Sequence, residues 1–183
     1  MLPCYGIAGD VVTDVERLFR TYNDALVRYL TRRLGDRDWA EEVAQETFVR
    51  ALRQTSIQNE RAWLFAVATN LVRDEARKDM RHRRHLALLA EQERDSFAEP
   101  EETSLERAQE AAMARKAVDA LAERDRLALL MREEGLDYKE IAEALELSPG
   151  SVGTTLSRAR RRLVESYEAL QKSREDREKN AAS

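Results

Sequence analysis

The chain has 183 residues, 36% of them charged and 6% aromatic, with six glycines and three prolines. So few breakers among so many helix formers predict an all-α protein of one or two small domains. No apolar run approaches the roughly 20 residues that cross a bilayer, and MLPCYGIAGDVV has neither a basic leader nor a sustained apolar core. Cys4 with two histidines is too thin for a disulfide or zinc framework. Membrane insertion, a secretory signal, a metal and a cofactor are therefore not expected, and a cytoplasmic location is.

After an N-terminal tail (1–11), a first helix is predicted from about Thr13 to Leu34. Val15, Leu18, Phe19, Tyr22, Leu26, Tyr29, Leu30 and Leu34 keep the three-four spacing of one buried stripe. Gly35 is suited to end it in the left-handed conformation, and Asp36 to cap the next helix. That second helix runs to about Leu52 and turns Trp39, Val43, Thr47 and Phe48 inward, with Ala51 or Leu52. Residues 54–59 read as a loop. A third helix, about Glu60 to Arg84, is apolar in its first half (Trp63, Leu64, Val67, Ala68, Leu71, Val72) and basic in its second. Residues 86–104 crowd six acids around Pro100 and read as an acidic flexible linker. Helical pattern resumes at Leu105 with breaks near Leu121, Gly135 and Ser148-Pro149, and residues 171–183 read as a disordered tail. The expected architecture is two helical modules, 12–85 and 105–170.

A net charge of −4 conceals segregation. Arg73, Arg77, Lys78, Arg81, Arg83 and Arg84 crowd one segment, and Arg158, Arg160, Arg161 and Arg162 lie in a stretch free of acids. Local potential steers a polyanion, so both patches are compatible with nucleic acid; charge alone fits a solvated helix face equally well. Glu42 with Glu46, and His82 with His85, lack the partners or the electrostatic surroundings of a metal site. No glycine-rich phosphate loop or nucleophilic triad has supporting context, so no catalytic residue and no enzymatic activity are expected.

Leu136 to Leu163 reads as a helix-turn-helix. Tyr138, Ile141, Ala142 and Leu145 form one inner face, Ser148 and Pro149 open the second helix, and Val152, Leu156, Ala159 and Leu163 form its inner face. In this motif the second helix enters the major groove. Its outward residues are read as Ser151, Thr154, Thr155 and Arg158 for base edges, with Arg160, Arg161 and Arg162 as phosphate anchors. Glu146 occupies the turn, where glycine tolerates a positive φ better.

EIAEALELSPGSVGTTLSRARRRL resembles the final DNA-reading module of bacterial RNA polymerase sigma factors of the extracytoplasmic-function (ECF) type. AEEVAQETFVRAL (Ala40 to Leu52) is similar to that family's polymerase-docking helix, and AWLFAVATNLVRDEARKDMRHRR (Ala62 to Arg84) to its promoter-melting helix. Glu123, Glu146 and Gly153 depart from the proline, glycine and basic residue usual there. The resemblance implies an alternative sigma factor whose partners are core polymerase (β′ clamp helices and β subunit), promoter DNA and an anti-sigma factor. Asp38, Glu41, Glu42, Gln45 and Glu46 would then face the clamp helices; by residue type alone they form a solvated face. Asn70, Arg73, Asp74, Arg77, Lys78 and Arg81 would meet the −10 strand. Thr55, Ser56, Gln58 and Asn59 would capture a flipped base, with Trp63 nearby, by spacing more a core residue than a stacking one. Two alternatives remain: a stand-alone helix-turn-helix regulator, and a sigma-like decoy that binds an anti-sigma factor and no DNA.

Overall fold

The computed structural model describes the backbone of residues 8–86 and 105–181, with side chains over 15–74, 109–176 and 179. Seven helices occupy the described residues, with no strand among them. The N-terminal module holds α1 (Ala8–Leu34), α2 (Arg37–Ala51) and α3 (Glu60–Leu86); the C-terminal module holds α4 (Leu105–Asp119), α5 (Glu123–Glu133), α6 (Tyr138–Ala144) and α7 (Pro149–Ala181). Of the expected acidic linker (86–104), Leu86 is the last residue of α3 and 87–104 lie outside the described residues, as do the first seven residues.

Local chemistry sets the boundaries. Gly35 stands at φ +77 and its N–H returns to the Thr31 carbonyl at 2.8 Å, which closes α1 in a conformation that costs glycine little. Asp36 then accepts the Trp39 N–H at 3.0 Å as the α2 cap. Gly135 at φ +85 ends the α5 turn, and Asp137 with Glu140 forms a reciprocal capping box at the start of α6. Glu146 adopts φ +54 between α6 and α7, so this turn carries the strain that a non-glycine residue meets there.

The N-terminal core is built from Leu18, Leu26, Tyr29 and Leu30 of α1, Val43, Ala44 and Phe48 of α2, and Leu64, Phe65, Ala68 and Leu71 of α3. The buried Tyr29 hydroxyl hydrogen-bonds Thr69 at 2.8 Å, so its polar end is satisfied where water is excluded. In the C-terminal module Leu127, Met131, Leu136, Ile141, Val152, Leu156 and Ala159 fill the space among α5, α6 and α7.

Four expectations are corrected. Phe19 is 45% exposed, packing edge-on to Phe48 at the rim of the core rather than inside it. Tyr138 is 46% exposed, because the first residue of α6 stacks under the Arg132 guanidinium at 5.6 Å instead of entering the core. Thr155 is 4% exposed and faces inward, in phase with Val152, Leu156 and Ala159. The helix does not stop near 170 but runs to Ala181.

The two modules pack against each other, α3 meeting α6 and α1 meeting α5. At this seam the Glu134 carboxylate, its side chain 2% exposed, accepts hydrogen bonds from Arg28 at 2.9 Å and Arg32 at 2.8 Å. Arg61 donates to the Glu134 and Gly135 carbonyls. Asn59 donates to Glu143 at 2.8 Å, and Arg73 to Glu123 at 3.0 Å.

Candidate nucleic-acid interfaces and docking face

Helix α7, the second of the helix-turn-helix pattern, begins at Pro149, a residue whose missing N–H is unneeded at a helix start. Phase then decides which side chains can leave the module. Val152, Thr155, Leu156 and Ala159 point inward, while Thr154, Ser157, Arg158, Arg160, Arg161 and Arg162 are exposed and Ser151 is half-buried. Ser157 lies three residues after Thr154 and four before Arg161, on the same exposed stripe. Sequence reasoning missed it, although continuing the spacing from Thr154 leads to it.

Arg158 is engaged within the module. Its Nε lies 2.9 Å and 3.2 Å from the two Asp125 carboxylate oxygens, and its Nη2 also donates to Asp125. Arg162 approaches the same carboxylate at 3.4 Å. Asp125 is buried near the start of α5, with a side chain 1% exposed. The Arg158 hydrogen bond holds its carboxyl below the usual value of 3.8. Two guanidiniums around one buried acid fix α7 on α5. Arg160 and the 71%-exposed Arg161 keep their heads in solvent.

On α3, Asn70 and Asp74 are exposed and Arg73 is half-buried against Glu123. The Arg73 hydrogen bond holds the Glu123 carboxyl below the ordinary 4.5. The backbone carries Arg77, Lys78 and Arg81 on the same helix; their side chains, like those of His82 and His85, lie outside the described residues. Arg33, with a side chain 5% exposed, donates to the Thr69 carbonyl at 3.1 Å and lies 3.4 Å from Glu123.

The loop before α3 exposes Thr55, Ser56 and Gln58. Thr55 and Ser56 edge a hollow of about 50 Å³, well below the roughly 300 Å³ of a small ligand pocket. Asn59 is occupied as the α3 cap: its Oδ1 accepts the Ala62 N–H at 3.3 Å while its Nδ2 reaches Glu143. Trp63 is half-buried against the core cluster.

The outer face of α2 presents Asp38, Glu42, Gln45 and Glu46 as exposed and Glu41 as half-buried. Glu41 pairs with Arg37 at 2.9 Å and Glu46 with Arg50 at 3.1 Å, each one turn away. Among the described residues the side chains of Glu42 and Gln45 have no hydrogen-bond partner. A groove of about 690 Å³ runs beside this face, lined by Phe19, Val27, Arg28, Arg32, Glu41 and Gln45 among others. The exposed Phe19, Val49 and Leu52 give the α1–α2 surface an apolar component that polarity patterns alone did not reveal.

Comparison with known proteins addresses both modules. The family description "Sigma-70 region 2" matches residues 18–82, and "Sigma-70, region 4" matches residues 111–163. RNA polymerase sigma factor YlaC of Bacillus subtilis is 31% identical over 170 residues, covering 88% of this chain and 95% of that protein. ECF RNA polymerase sigma factor SigL of Mycobacterium tuberculosis is 30% identical over 167 residues, covering 86% and 91%. Among solved structures, the sigma factor RpoE in complex with the anti-sigma factor NepR from Bartonella quintana aligns at TM-score 0.66, covering 85% of this chain and 98% of that one. At 22% identity this last likeness is one of fold.

Proposed function

Since the chain belongs to the ECF sigma factors of the sigma-70 family, we propose a division of labour in promoter opening between its two modules. It is an alternative sigma factor: it binds core RNA polymerase and directs it to promoters, contributing recognition and no bond-making chemistry. The supporting observation is the order of its parts, a region 2 module followed by a helix-turn-helix whose second helix turns hydroxyls and cations outward.

In this reading α7 enters the major groove at the −35 element. Ser151, Thr154 and Ser157 meet base edges, while Arg160, Arg161 and Arg162 anchor phosphates. Arg158, tied to Asp125, acts as a positioning residue that sets the angle at which the helix is presented. Asn70, Arg73, Asp74, Arg77, Lys78 and Arg81 track the −10 strand, whose backbone suits a cationic helix face. Thr55, Ser56 and Gln58, with Asn59 once it leaves Glu143, receive an unstacked base after the loop yields. Asp38, Glu41, Glu42, Gln45 and Glu46 face the polymerase clamp helices, where an acidic surface orients a basic partner and speeds encounter. The site of action is the cytoplasm, and an anti-sigma factor covering these surfaces is the expected regulator.

Genome-wide transcription in vitro with purified core bacterial polymerase tests the reading. The expected result is a discrete set of starts that depend on the protein and share two elements upstream. Protein-independent starts together with a shift of duplex DNA by the protein alone would instead identify a free-standing regulator.

A further inference from the structure

We propose that a cavity between the two modules binds a free nucleoside diphosphate, held by Arg33, Arg73 and Arg126. Nothing in this assignment needs promoter recognition, although Arg73 serves both.

The cavity measures about 600 Å³, within the roughly 300–1,000 Å³ of small-molecule sites. Four helices wall it: α1 brings Arg33 and Leu34, α2 Trp39, α3 Val72 and Arg73, and α5 Glu123 and Arg126. Cations gathered in one place repel unless anions offset them. Two carboxylates serve the three guanidiniums incompletely. Glu123 Oε1 is shared, 3.0 Å from Arg73 Nε and 3.4 Å from Arg33 Nη2, while Asp119 takes only Arg126, at 3.2 Å. The Arg33 side chain is 5% exposed, and that burial pushes its pKa down. The Arg126 Nε is buried with no hydrogen-bond partner among the described residues, a donor left unmet at a cost.

Two adjacent phosphates match this arrangement. Each presents oxygens to the planar guanidinium fork, the geometry arginine recognises best. A terminal diphosphate also concentrates charge at one point, where a strand carries a single phosphate per nucleotide. Glu123 keeps half of its side chain exposed and can turn to water as the phosphates arrive, since such a pair contributes little. Inorganic phosphate alone would leave most of the volume unfilled. The remaining walls are Leu34, Val72 and the Trp39 indole, and an indole stacks on any base because every base has a π face. Cations and an apolar, aromatic lining in one cavity thus select a base and a diphosphate in the same molecule.

Isothermal titration calorimetry of the full chain with ADP is the test. AMP, inorganic pyrophosphate and a ten-residue oligodeoxyadenylate without terminal phosphate serve as comparisons. Arg73→Gln/Arg126→Gln is set against Arg20→Ala/Arg53→Ala, which removes the same charge at exposed positions outside the cavity. ADP is expected to bind once per chain, about tenfold or more weakly in the arginine cavity variant and within about twofold of wild type in the control, as lost charge-assisted hydrogen bonds give. Glu123→Gln should tighten ADP about threefold by removing an exposed competing charge. A damaged fold does not yield that gain, so the test holds should the arginine variant, checked by circular dichroism, misfold. No ADP binding, an equal loss in the control, or unchanged affinity in either cavity variant overturns the site. AMP binding as tightly as ADP overturns the diphosphate, and pyrophosphate doing so overturns the nucleoside. Displacement of bound ADP by a lower concentration of the oligonucleotide assigns the cavity to a strand and overturns the free nucleotide.

Discussion

Gly153 sits on the recognition helix, and a Cβ added there would meet only the Tyr138 ring, at 3.6 Å. Glycine inside a helix costs about 0.8–1 kcal/mol relative to alanine, and nothing in the packing requires it here. Gly153→Lys is expected to raise stability by roughly 0.5 kcal/mol in urea denaturation. It should also tighten duplex DNA binding with a steeper salt dependence, because it adds a cation beside Thr154. Arg161→Ala is expected to lower the slope of log affinity against log salt by about 1 while leaving base preference unchanged; titrations at several salt concentrations measure both. Thr155 shows where reading residue by residue failed. Its hydroxyl suggested a DNA contact, yet 152, 155, 156 and 159 are the i, i+3, i+4, i+7 positions of one buried stripe. Periodicity was the better guide than residue type.

At the scale of elements, the attachment of α7 to α5 depends on a charge whose behaviour has a definite sign. Asp125 is held below its usual 3.8 by Arg158, so the folded chain binds that proton less readily than the unfolded one. Its stabilisation is complete above the ordinary carboxylate value and is lost as pH falls through the depressed one. Asp125→Asn is therefore expected to destabilise the chain at neutral pH and to flatten its loss of stability below about pH 4; urea midpoints across pH 2–7 test this. Helix limits were largely legible because their causes are local: Gly35 and Asp36, Gly135, and Ser148-Pro149 each act through neighbouring backbone. The far end of α7 was not, since its polar composition lacks a buried stripe. Yet a helix already nucleated by a packed first half extends at little cost through Glu, Lys and Arg.

For the whole molecule, the proposed docking face and the seam adjoin along one groove but use different side chains at Glu42 and Glu46, so they should fail separately there. Glu42→Lys with Glu46→Lys, two exposed α2 positions outside the groove that holds the seam arginines Arg28 and Arg32, is expected to weaken binding to core polymerase about tenfold or more. Duplex DNA binding by the free protein should stay within twofold. Co-elution with polymerase and an electrophoretic shift distinguish the two. The seam could not be read from sequence, because its pairs are set by tertiary packing: Arg28 and Glu134 are 106 residues apart, and Asn59 and Glu143 are 84. Glu123 had stood out only as a departure from the family's usual proline, and the fold gives it Arg73 as a partner.

That pairing bears on any attempt to reprogram promoter choice by exchanging C-terminal modules between relatives. A transplanted module arrives with its own residues opposite Arg28, Arg32, Arg61 and Arg73, and these four cations then face surfaces they were not matched to. Grafts that carry Glu123, Glu134 and Glu143 along with the new recognition helix preserve the fit between the halves. Grafts that omit them change promoter preference and the resting shape of the protein together.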